Sequence, residues 1–164
     1  MDALSPIQTI AELALTQAGF AGVVVVFSQR EGLAPIDRWG FVGVLILGVG
    51  SAVLSFSPSV LLMFGFGEIA SWRLSSAVLF FAVVAFFVFF LRRVPRVAGD
   101  HGARPPQAAL SIVFVATIAC IVIQSSNAVG WPASPGPGLF VLGLLCMLVV
   151  AAFGFCFAVL YRPK

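Results

Sequence analysis

Five stretches of this sequence, residues 7–27, 39–64, 72–91, 108–128 and 139–161, are each at least 20 residues long and almost free of charge. A helix rises about 1.5 Å per residue, so about 20 apolar residues cross a hydrocarbon core of about 30 Å. Every stretch meets that length. The connections between them are too short to hold a soluble domain. An all-α integral membrane protein follows, with five transmembrane helices forming a single domain over residues 1–164.

Composition closes off the alternatives. Apolar residues make up 61% of the 164-residue chain and charged residues 9%, against about 45–50% and about 25% in soluble domains. Too few polar side chains exist to cover a water-exposed fold, and disorder requires the opposite balance. No basic, aromatic-interleaved segment of the kind that binds nucleic acid is present. The start of the chain has no basic stretch before its first apolar run, so the first helix is expected to persist rather than be cleaved as a leader.

Orientation follows from the cations. With the N-terminus outside, Arg30, Arg38, Arg92, Arg93, Arg96, Arg104, Arg162 and Lys164 all fall inside, and Arg73 is the cation left outside. The positive-inside rule therefore predicts an N-out, C-in topology. Trp39 and Tyr161 then mark the inner interface, and Trp72 and Trp131 the outer one. The inner cations, with Glu31 and Asp37 among them, suit anionic lipid headgroups.

Local punctuation refines the spans. Ser5-Pro6-Ile7-Gln8 predicts a capped start with proline in the first turn, and Pro105-Pro106-Gln107 opens the fourth helix. The Pro/Gly-rich segment 131–138 predicts a stiff loop. The second span, at 26 residues, is longer than a straight crossing needs. Pro58 removes a backbone donor there, and the serines around it, Ser55 included, offer hydroxyls to the freed carbonyl. A kink at Pro58 is the expectation.

Lipid supplies no hydrophobic drive between helices, so small residues and polar contacts must hold them together. The candidates are Ala11, Ala14, Ala18 and Gly22 on the first span, and Gly43 and Gly50 on the second. Ser71, Ser75, Ala82 and Ala85 line the third, and Gly143 and Gly154 the fifth. Packing within one bundle and a subunit interface both use such faces.

Ionisable groups inside a span are costly and are functional candidates by default. Glu12 lies about 9 Å along its helix from Pro6, with Thr16 and Gly19 on its face. The fourth span carries Thr117, Cys120, Gln124 and Asn127 at i, i+3, i+7 and i+10, one helical stripe. Glu68 and Arg73 occupy the hairpin between the second and third spans, and pairing of Arg73 with Glu12 or Glu68 is the expectation that would explain an arginine on the outer side. On the predicted topology Glu12, Glu68, Arg73, Gln124 and Asn127 share the outer side and, with Thr16 and Thr117, make a candidate polar or ion site.

Catalysis finds little support. Cys120, Cys146 and Cys156 sit in apolar runs without metal-ligand spacing, and the single histidine, His101, has no second imidazole. No metalloprotease, serine-hydrolase or nucleotide-binding motif occurs, so no metal or cofactor is expected. The leading expectation is a non-enzymatic accessory or scaffold subunit of a membrane assembly or homo-oligomer in a bacterial inner membrane. Its rival is a small channel or transporter whose path passes Glu12, Gln124 and the Pro58 kink.

Overall fold

The computed structural model of the chain describes residues 4–29, 35–101, 107–131 and 134–160. The order is α1 (Leu4–Gln29), α2 (Pro35–Ser55), α3 (Ser57–Met63), α4 (Glu68–His101), α5 (Gln107–Val129) and α6 (Pro137–Leu160), with no strand among the described residues. Five helical segments are long and apolar enough to cross a membrane: Pro6–Val24, Phe41–Met63, Glu68–Arg92, Ser111–Val129 and Pro137–Cys156. Arg30, Arg104, Tyr161, Arg162 and Lys164 lie outside the described residues.

Two boundaries differ from the sequence expectation. The helix containing the third span runs on to His101, so Arg92, Arg93 and Arg96 occupy helical positions rather than a loop. Pro95 deprives the Leu91 carbonyl of its helical donor. That carbonyl lies at the edge of the apolar segment, where solvent can take the place of the missing N–H. At the other end of the chain, α1 begins at Leu4, so Ser5 and Pro6 fall within its first turn. The missing proline N–H costs nothing there, because first-turn N–H groups have no helical partner.

The second span is divided at Phe56 into α2 and α3. Pro58 cannot donate to the Leu54 carbonyl, and the Ser57 hydroxyl donates to it instead at 2.7 Å. Ser55 donates to the Ala52 carbonyl at 2.6 Å, and the Phe56 N–H bonds back to Val53 at 3.2 Å. The helical ladder is thus bridged across the proline by side chains, as the serine-rich surround led one to expect.

Gly65 (φ +83°) ends α3 and Gly130 (φ +81°) ends α5. Both adopt the left-handed conformation that lets following N–H groups turn back onto helix-end carbonyls. Phe66 bonds to Leu61 at 3.2 Å, and Gly130 and Trp131 both bond to Ser126 at 2.8 and 3.2 Å. These two turns lie at one end of the bundle, called the turn end below.

Around the bundle, α1 packs on α2 and α6, α2 and α6 pack on each other, and α5 packs on α4 and α6. Helix α4 also meets α2, α3 and α6. The core runs along the α2–α6 contact, through Val44, Leu47, Leu144, Met147 and Ala151, and out to Leu79 and Val83 on α4. Nearer the far end Phe155 packs its ring on Phe20 and Phe41, with centroids 5.5 and 6.0 Å apart.

The closest approach of a glycine to a neighbouring helix's backbone, among the described residues, involves one that the small-residue pattern did not single out. A Cβ on Gly48 would lie 3.0 Å from Ala18 Cβ and 3.1 Å from the Ala14 carbonyl. Helix α1 therefore presses its buried alanine face, Ala11, Ala14, Ala18 and Ala21, against α2. Gly22 and Gly50 meet nothing within 4 Å, while Gly43 faces Phe86 at 3.9 Å and Gly154 faces Val44 at 3.6 Å. Of the anticipated packing glycines, Gly143 alone leaves no room for a methyl group.

Candidate functional site: a buried polar column along α5

Thr117, Cys120, Gln124 and Asn127 are all buried, so the stripe read from the sequence turns inward. Ten residues at about 1.5 Å each make this column about 15 Å tall, half of a hydrocarbon core. Each member reaches a different backbone or side chain.

At the turn end, Asn127 joins three elements. Its Nδ2 donates to Ser76 Oγ on α4 at 2.7 Å and to the Gly136 carbonyl at 3.2 Å, just before α6. Its Oδ1 accepts the Gly136 N–H at 2.9 Å. One turn deeper, Gln124 is fully enclosed and donates from Nε2 to the Leu139 carbonyl at 2.9 Å. That bond fixes which end of the amide faces α6, since a flipped amide would set oxygen against oxygen. The Gln124 side chain lies directly on Gly143, where a Cβ would collide with Nε2 and stand 2.7 Å from Cδ. Below it, Cys120 donates through sulfur to the Gly143 carbonyl at 3.3 Å, and Thr117 bonds to Val113 within its own helix at 2.7 Å.

Among the described residues, four enclosed polar atoms have no hydrogen-bond partner: Gln124 Oε1, Ser51 Oγ, Ser75 Oγ and Trp72 Nε1. At the base of the column, Thr117 and Cys120 border a half-open pocket of about 10 Å³, lined also by Leu47, Val83, Phe86, Cys146, Met147 and Val150. That is about the size needed for one water.

The remaining candidates lie elsewhere. Glu12 is exposed on α1, accepting from Gln8 Nε2 at 3.3 Å through Oε1 and from the Thr16 hydroxyl at 2.8 Å through its backbone carbonyl. Because α1 packs on α2 and α6 while α5 packs on α4 and α6, Glu12 and Gln124 do not form one site. Glu68 is exposed in the first turn of α4, where an acid suits the positive end of the helix dipole.

Arg73 bonds to neither glutamate among the described residues. Its Nε donates to the Ala128 carbonyl at 3.0 Å and a terminal nitrogen to Val129 at 2.9 Å. It caps the C-terminus of α5, where unsatisfied carbonyls and the negative dipole end attract a cation.

Family models, curated proteins and solved structures gave no match to this chain.

Two residues of the column's surround are not singled out by the sequence pattern. Ser76 and Gly136 complete the Asn127 knot, and Ser76 was discoverable from the face Trp72, Ser75/Ser76, Leu79, Val83, all of which are buried. Trp72 is itself 2% exposed and packs on Phe140 with centroids 5.9 Å apart. It is a core residue rather than a member of an interfacial belt, whereas Trp131 is exposed as a belt residue would be.

Proposed function

We propose that this protein is a non-enzymatic subunit of a membrane assembly, inserted in a bacterial inner membrane with its N-terminus and its turn end outside and its C-terminus inside. The observation that carries this reading is how the polar side chains are used. Asn127, Gln124, Cys120 and Arg73 all bond to backbone or hydroxyl groups on neighbouring elements. Such contacts hold membrane helices together. They stiffen the half of the bundle near the turns, and Glu12, the candidate ion-binding carboxylate, stands apart from them on α1. The excess of cations at the opposite end supports the orientation and gives that end its attraction for anionic headgroups. A bend at Pro58 fits the serine-bridged interruption at Phe56 and shortens a span that is otherwise too long.

A second reading, a small channel or transporter, draws on the unpartnered Gln124 Oε1 and Ser51 Oγ and on the pocket beside Thr117. A conducting path needs a continuous hydrated route across both leaflets, and the polar column that would line it stops about halfway.

Purified protein in sealed liposomes tests both. The subunit reading expects proton, sodium and potassium flux equal to that of empty vesicles. Flux above that background, abolished by Glu12→Gln or Gln124→Leu, overturns it in favour of transport. In the same vesicles a cysteine at Ser134 should react with an impermeant reagent from the side that bears the N-terminus, and one at Gly99 should not. Reaction of Gly99 from that side refutes the orientation.

A further inference from the structure

We propose that the exposed polar face of α1, made by Gln8, Glu12, Thr16 and Gly19, seats the same face of a second copy of this chain. The inference rests on the reading of the protein as a subunit and names one partner of it. Helix α1 has two faces suited to close contact. Its alanine face is buried against α2 and α6. The other lies on the outside of the bundle, within the apolar segment Pro6–Val24.

A carboxyl group facing lipid is costly and calls for hydrogen-bonding partners. Within the chain, Glu12 receives one Gln8 amide hydrogen, and Thr16 bonds to the Glu12 backbone. The second carboxyl oxygen of Glu12 and the Gln8 carbonyl have no partner among the described residues. Seven residues along the same face, Gly19 is exposed and a Cβ there meets nothing within 4 Å. A gap of that kind lets a second helix approach closely.

The partner must present matched groups at the same depth. A second copy does so by construction, because both copies insert with one orientation. The face is also self-complementary: Gln8 already reaches one turn along to Glu12 within its own chain, so in a parallel pair its second amide hydrogen reaches the same turn along to Glu12 of the other copy, and a two-fold axis repeats the contact.

Energy transfer between two dye-labelled populations, measured in liposomes at increasing lipid dilution, reads the association. The native chain should associate, and Gly19→Leu and Glu12→Leu should each weaken it about tenfold or more. Glu12→Gln keeps donor and acceptor and should retain most of it. Gly19→Leu has free space within its own chain, and unchanged circular dichroism will show that the bundle persists. As an independent measure, a cysteine at Gly19 should give an oxidative covalent dimer above the background of the native cysteines. A cysteine at Val78, exposed on α4, should not.

A native chain that stays monomeric at every dilution, leucine variants that associate as it does, or equal cross-linking at Val78 would each overturn the proposal. Monomers without ion flux would remove the dimer and leave the subunit reading intact. Flux with an intact dimer would do the reverse.

Discussion

Replacing Gly143 by alanine should destabilise the bundle by about 2 kcal/mol, although alanine is ordinarily the better helix former by about 0.5–1 kcal/mol. The reason is the Gln124 side chain. Its amide nitrogen lies where the new methyl group would stand, with Cδ at 2.7 Å and Cγ at 3.1 Å. Gln124 is fully enclosed and tied to the Leu139 carbonyl, so moving it breaks a hydrogen bond in a space that offers no replacement. Overpacking costs about 1–3 kcal/mol, and a stranded buried donor about 1–3 kcal/mol more. Against these stands the helix-propensity gain.

Reversible unfolding in mixed micelles measures the change, with Gly50→Ala as reference because a Cβ there meets nothing within 4 Å. That reference should be neutral or slightly stabilising. Shortening the glutamine should relieve the clash, so Gln124→Ala with Gly143→Ala should cost less than the two single changes added, by about 1.5 kcal/mol. Strict additivity would show that the glycine does not serve the glutamine.

The pairing of Gln124 with Gly143 also shows how far a sequence reaches in a membrane fold. Each residue is visible alone, one as a polar position on an otherwise apolar stripe and the other as a small residue in a long apolar run. Periodicity correctly turned the Thr117–Asn127 stripe to one face, because one helix fixes its own angular register. The five spans were legible for a similar reason, since hydrocarbon thickness acts on each segment separately.

Contacts between helices have no such local signature. Gly48 matters because Ala14 and Ala18 come to lie against it, and nothing near Gly48 in the chain announces that. Arg73 was drawn toward the two glutamates by charge alone. In the bundle the end of α5 stands nearer, and its free carbonyls are as strong a claim on a guanidinium as an exposed carboxylate. Glu12 gave the opposite lesson. The groups beside it in the sequence, Gln8 and Thr16, are the ones it keeps, because α1 turns that face away from the rest of the bundle.

Asn127→Leu should lower stability by about 2 kcal/mol and should do so by loosening one end of the bundle rather than the whole. The side chain makes three hydrogen bonds, one to Ser76 on α4 and two to the backbone of Gly136 before α6. Polar contacts between membrane helices average about 0.6 kcal/mol and reach about 1.7 kcal/mol, so three of them together approach the larger figure or exceed it. Leucine fills a similar volume, which confines the loss to hydrogen bonding. Removing only the Ser76 hydroxyl is a milder change, because Asn127 Nδ2 keeps the Gly136 carbonyl. Ser76→Ala should therefore cost about 0.6 kcal/mol. Hydrogen exchange should locate the difference. In Asn127→Leu the amides of Ser134, Gly136, Gly138 and Leu139 should exchange faster while those around Leu47 and Met147 hold, since the apolar core between α2 and α6 does not depend on this knot. If the serine variant proves as damaging as the asparagine variant, the contact to α4 is the one that matters, and the tie to the α6 entry adds nothing.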